Sequence, residues 1–180
     1  MAKLAKLVEL TDVVHGVKWI FDPKKVTIVH SHYRQKLDGH LDFGVMSTYV
    51  WGIIPDSKSG AIPLQIEATV EAFLDSLSIE DKSIKDKFVK LTMLKLRQLP
   101  PSIPLPLPHP PVGVPKPHEH IPVWFNAAAV SLLRASVGPR EGDAPEEKTH
   151  VYLGSAERYV LEDLQTVKAA VDAKRERQEG

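Results

Sequence analysis

Histidine has the widest chemical range of any residue type in this chain, and two of the eight stand in one motif, His30-Ser31-His32, with His40 eight residues further on. On a strand, residues two apart face the same side, so His30 and His32 can grip one ion. A metal centre of this kind also needs a carboxylate or another imidazole nearby. The window after the motif holds Gln35, Lys36 and Leu37, and Asp38 sits beside Gly39 in a turn signal. His30, His32 and His40 are therefore a weak candidate metal site, set against the plainer reading of half-buried strand histidines. His118-Glu119-His120 lies where proline dominates and no element fixes its geometry. The chain has no Gly-x-Ser-x-Gly elbow, no Gly-x-x-x-x-Gly-Lys phosphate loop and no Gly-x-Gly-x-x-Gly turn. No catalytic residue and no cofactor is assigned, and the expectation is a protein that is not an enzyme.

The second chemical feature is charge. Lys82, Lys85, Lys87, Lys90, Lys95 and Arg97 fall within sixteen residues. Such a cluster can hold phosphates of RNA or of anionic lipid. Glu80, Asp81 and Asp86 are interleaved, so the plainer reading is a solvated turn followed by an edge strand guarded by lysine. Lys3, Lys6, Lys18, Lys24 and Lys25 form a weaker second cluster suited to a membrane surface. Over the whole chain, 23 basic residues balance 23 acidic ones. A neutral chain does not coat nucleic acid by bulk charge, and neutrality favours self-association. There is no cysteine, which rules out disulfides and thiolate chemistry and suits a reducing compartment. No run of 18 apolar residues exists to cross a membrane. The N-terminus lacks a signal-peptide pattern, and Ala2 excludes N-myristoylation.

The elements that must position these residues divide around proline. Ten of fifteen prolines lie between Pro100 and Pro122. Proline fixes φ and removes a donor, so residues 100–122 are expected as an extended arm, neither helix nor central strand. Its start, Arg97-Gln98-Leu99-Pro100-Pro101, begins like a ligand for SH3 domains, but the next proline comes one position late, at Pro104. The arm separates a β-rich block, 1–99, from a second block, 123–180, within one domain of 180 residues. The spacing of Leu4, Leu7 and Val8 predicts a short amphipathic helix over 2–14. Strands are expected over 17–21, 26–33, 40–51 and 88–97, the last with a bulge or a helical end where Leu94 and Leu96 shift phase. Leu64–Leu77 carries one apolar stripe and predicts the main helix of the first block. Residues 123–136 are ambiguous between helix and strand, 149–153 read as a short strand, and Ser155 is taken to cap a helix running to about Arg177 with a frayed end. The fold class is α+β: an antiparallel sheet packed by the Leu64–Leu77 helix and the C-terminal helix.

Three pieces in order carry a resemblance. They are Asp75-Ser76-Leu77-Ser78-Ile79; the basic run Ile84-Lys85-Asp86-Lys87-Phe88-Val89-Lys90-Leu91; and Phe125-Asn126-Ala127-Ala128-Ala129, leading through Leu132, Leu133 and Arg134 to Val137-Gly138-Pro139. This order resembles the second half of bornavirus matrix proteins. The layout of residues 41–97 is similar to the core of rhabdovirus matrix proteins. The proline arm, the C-terminal helix and the absence of Pro-Pro-x-Tyr depart from that pattern. The resemblance implies a non-enzymatic structural protein of the virion and the host-cell cytoplasm. It implies a homo-oligomer whose partners are the viral nucleocapsid with its RNA and the inner membrane surface, with Lys82, Lys85, Lys87, Lys90, Lys95 and Arg97 offered to RNA or lipid, and Lys3, Lys6, Lys24 and Lys25 offered to the membrane. The alternatives are an accessory subunit of a large cellular assembly that uses the arm to bind a neighbour, and a metal enzyme at His30, His32 and His40.

Overall fold

The computed structural model describes residues 6–54, 62–80, 83–96, 118–136, 147–154 and 156–179. They form an α+β fold in which every paired strand is antiparallel. The strands are β1 (Val8–Thr11), β2 (Lys18–Phe21), β3 (Ile28–Gln35), β4 (Leu41–Trp51), β5 (Leu64–Ile66), β6 (Phe88–Leu96), β7 (His118–Asn126), β8 (Leu132–Ala135), β9 (Thr149–Leu153) and β10 (Ala156–Val160). The helices are α1 (Val70–Glu80), the single turn α2 (Ser83–Asp86) and α3 (Leu164–Glu179). A five-stranded sheet in the order β5-β4-β3-β7-β6 occupies the middle. The β1–β2 hairpin, α1 and α2 cover one face; a three-stranded sheet, β10-β9-β8, and α3 cover the other.

Alternation along the strands divides the central sheet between two cores. Val29, Val50, Leu64 and Trp124 meet Val70, Phe73, Leu74 and Leu77 of α1. Ile28, Val89, Leu91, Val123 and Phe125 meet Val151, Leu153 and Val160 of the small sheet and Val167 and Val171 of α3. Since both faces are buried, Ile28 and Val29, adjacent in sequence, are each fully inaccessible.

Several elements depart from the sequence reading, each for a physical reason. Residues 8–11 form a strand, not a helix, because Leu10 pairs with Trp19 and Val8 with Phe21 in a hairpin. The buried Asp12 then docks that hairpin, its carboxylate accepting from the amides of Gln65 and His15. The apolar stripe over 64–77 is two elements. Leu64–Ile66 is an edge strand buried on every side chain, and α1 begins at Val70, where Thr69 Oγ1 accepts from the Ala72 amide. The register of β6 on β7 runs unbroken from Phe88↔Asn126 to Leu96↔His118, with no bulge. Val160 belongs to a strand, and the final helix starts at Leu164 under an Asp163 cap that accepts from the amides of Gln165 and Thr166. It is helical to Glu179.

Proline gives the largest correction. Residues 100–117 lie outside the described residues, but 118–122 are part of β7, between β3 and β6. Pro122 is tolerated because of which way its nitrogen points. The Asn126 amide donates to Thr27 and the Ala127 amide to Lys87, so even-numbered residues of β7 address β3 and odd-numbered ones address β6. The missing N–H of Pro122 therefore lies on the β3 side, where the β3–β7 ladder ends at His30↔Val123, while the β6–β7 ladder runs on past it to Leu96↔His118. Strands from both sides of the proline-rich segment thus build one sheet.

Candidate interaction surface

The histidine motif is placed by β3 and is part of the core. His30 sits in a row between Val123 of β7 and Tyr49 of β4. The Trp51 indole donates to His30 Nε2 at 3.2 Å. An indole nitrogen only donates, so Nε2 accepts, and Nδ1, 3.3 Å from the Ser31 carbonyl, carries the proton. Both ring nitrogens are thereby spent on protein, which leaves no lone pair for an ion. His32 packs near Tyr33 and Tyr49, and His40 stands exposed at the far turn of the β3–β4 hairpin, its amide held by Asp38. Among the described residues, no group of three His, Asp or Glu side chains is arranged to hold a metal. The metal site expected as an alternative is therefore corrected to a polar–aromatic core cluster.

That cluster joins the layers. Arg158 of β10 stacks 4.4 Å from the Trp51 ring, and burial draws its pKa down against the pull of the Glu157 carboxylate. The Tyr49 hydroxyl donates to the Tyr33 carbonyl at 2.8 Å, and burial pushes its pKa up to about 12. The β3–β4 register jumps between Tyr33 and Arg34, and the Gln35 amide then reaches Gln65 Oε1 on β5.

The basic candidates do not converge into one free patch. Lys85 is ion-paired with Asp75 of α1. Lys90 is exposed but lies over the Trp124 ring, 4.9 Å from its centroid. Lys87 is half-buried at the turn into β6. Lys95 belongs to β6 with its side chain outside the described residues, as Lys82 and Arg97 are entirely. Of the second cluster, Lys3 lies outside the described residues. Lys18 pairs with Glu9 at 2.8 Å, a contact that raises its pKa. Lys6 is exposed, as are Lys24 and Lys25 in the 3-10 turn Pro23–Lys25. They share the hairpin region with two exposed apolar side chains, Leu7 and Ile20.

The surface that the fold does assemble lies on the small sheet, and the sequence reading did not anticipate it. Val151, Leu153 and Val160 face the core, so His150, Tyr152, Glu157 and Tyr159 face outward, with Leu132 and Arg134 beside them on β8. The register sets them in two cross-strand rows: Arg134, His150, Tyr159, and Leu132, Tyr152, Glu157. Tyr159 stacks on His150 at 4.0 Å and 18°, and Tyr152 lies 4.1 Å from the same ring. Arg134 donates to His150 Nδ1 at 3.3 Å, so Nε2 carries the proton and points to the Glu157 carboxylate 3.1 Å away, without hydrogen-bond alignment. His150 is buried under its neighbours, while Leu132 (55 %) and Tyr159 (39 %) stand in solvent.

Beside this face, a groove of about 340 Å³ runs between β8 and α3, with Val130, Leu132, Leu133 and Leu164 among its walls. Its rim charges are already engaged: Lys168 with Asp172, and Arg175 with the carbonyls of Ala127 and Val130. One signal for this surface is present in the sequence. Ala156-Glu157-Arg158-Tyr159-Val160 alternates with period two after a glycine, Gly154, whose φ of 67° opens the two-residue turn from β9. No helix of the described residues is long and apolar enough to cross a membrane. No protein-family model, curated protein or solved structure matches the chain.

Proposed function

We propose that this protein is a matrix-type structural protein that self-associates and bridges ribonucleoprotein and a membrane surface in the virion and the host-cell cytoplasm. The observation that carries the reading is the outward face of the β10-β9-β8 sheet, which no described element covers. It offers two tyrosine rings, an arginine and an exposed leucine on three paired strands. Such a face has the chemistry to take unpaired bases by stacking and phosphates by charge. Arg134 supplies the cation, with the exposed Lys148 two residues before His150, where the Ser136 amide meets its carbonyl. The membrane contact falls to the β1–β2 hairpin, which exposes Leu7 and Ile20 and is flanked in the chain by the exposed Lys6, Lys24 and Lys25. A net charge of zero removes long-range repulsion between copies.

Light scattering, with co-sedimentation against single-stranded RNA and against phosphatidylserine liposomes, tests this reading. The expected result is a species larger than the monomer, pelleting with both at low salt and less with RNA as salt rises. A strict monomer that binds neither removes the proposal.

A further inference from the structure

We propose that a second copy of this chain docks along the open edge of β8 by antiparallel pairing of β8 with itself, joining two small sheets into one six-stranded sheet. This rests on the self-association read above and adds the surface and the register. β8 is a terminal strand of its sheet, with β9 on one side and no strand on the other among the described residues.

The direction of its backbone groups follows from the β9–β10 turn. A two-residue connection makes Leu153↔Ala156 a mutually hydrogen-bonded pair, so Val151 and Thr149 also address β10. His150 and Tyr152 then address β8, meeting Arg134 and Leu132, and the Ser136 amide continues that ladder to the Lys148 carbonyl. It follows that the N–H and C=O groups of Leu133 and Ala135 point away from β9. They point along the groove, because Leu132 and Leu133, whose side chains face opposite sides of the sheet, both line it. An edge with unmade backbone bonds beside an apolar groove is the geometry in which strands are added.

A second copy fits this edge for three reasons. Two-fold pairing satisfies both edges at once and leaves neither open. The register that places Leu133 opposite its own copy sets Leu132 against Arg134 of the second molecule, so the exposed leucine is covered by an arginine stem and no arginine faces an arginine. The rim charges Lys168 and Asp172 already neutralise each other, so the rim presents no like-charge barrier to a second copy.

The absence of cysteine makes the test clean. Ala135 is exposed and its N–H lies on the open side, so Ala135→Pro blocks the edge without taking a bond from β9. Sedimentation velocity of the full chain across concentration is expected to show dimer for wild type. For Ala135→Pro it should show dissociation at least about tenfold easier, with an unchanged melting temperature. In the same register, Leu132→Cys and Arg134→Cys proteins mixed and oxidised are expected to cross-link faster than either alone. If wild type associates but Ala135→Pro associates equally and the mixture gains nothing, the edge proposal is overturned and self-association stands. If wild type stays monomeric at every concentration, both fall.

Discussion

The two sheets of this molecule use the same period-two geometry and do opposite things with it. In the five-stranded sheet, neighbours such as Ile28 and Val29 on β3 are both buried, because helices cover one face and the small sheet covers the other. In the three-stranded sheet, Val160 is fully buried while its neighbour Tyr159 stands 39 % exposed. The central sheet spends its side chains on stability, including the histidines that looked most like chemistry. Among the described residues, the small sheet has one face and one edge that no other strand or helix covers. The difference predicts that damage to the first sheet destabilises the protein, whereas damage to the second leaves it folded and changes what it holds.

The largest effect is expected at Phe125, fully buried where β7 meets the small sheet. Phe125→Ala is predicted to cost about 3–5 kcal/mol in urea or thermal unfolding. A loss below about 1 kcal/mol would place the real core elsewhere. Next comes Gly52, just after β4, at φ 93°, where a Cβ would stand 2.2 Å from the Lys25 carbonyl oxygen. Gly52→Ala combines left-handed strain with backbone overlap and is predicted to cost about 2 kcal/mol or more by the same measurement.

Tyr49 makes the comparison through pH. Burial raises its pKa from 10.0 to about 12, so between those values the unfolded chain loses a proton that the folded chain keeps. Unfolded protein is therefore favoured as pH rises, and stability should fall through this window. Tyr49→Phe should flatten that fall; an unchanged slope in urea titrations from pH 9 to about 12 would show that Tyr49 ionises freely. The smallest stability effect is expected on the open face. Leu132→Ala and Tyr159→Ala should each change unfolding free energy by less than about 0.5 kcal/mol while weakening binding of RNA. A cost like that of Phe125→Ala would mean this face is covered in the folded protein.

The same contrast decides what could be read from residues alone. β3 and β4, flanked by Asp38-Gly39, were legible because a tight turn and β-branched residues leave few alternatives. The class, antiparallel α+β, followed from them. Leu64–Ile66 was read as helix because burial on both faces erases alternation, and a three-residue strand running on toward α1 looks like one apolar stripe. β7 was hidden by Pro122, whose harmlessness depends on which neighbour its nitrogen faces, a property of register and not of sequence. The histidine motif was placed on the right strand, and its plainer reading as strand histidines of the interior holds; what occupies the His30 nitrogens, Trp51 and Ser31, was not legible, since one lies twenty-one positions away. The candidate surface needed three strands in register. Arg134, His150 and Tyr159 are scattered over the last third of the chain and meet only across β8, β9 and β10.

The central claim, that this protein acts by contact through the open face of its small sheet, is tested most directly by sedimentation velocity with single-stranded RNA. Wild type is compared with an Arg134→Glu/Tyr159→Ala variant shown to have the same melting temperature. The account predicts a faster boundary for wild type when RNA is added and none for the variant. Equal boundaries for the two proteins, shifted or unshifted, would contradict it.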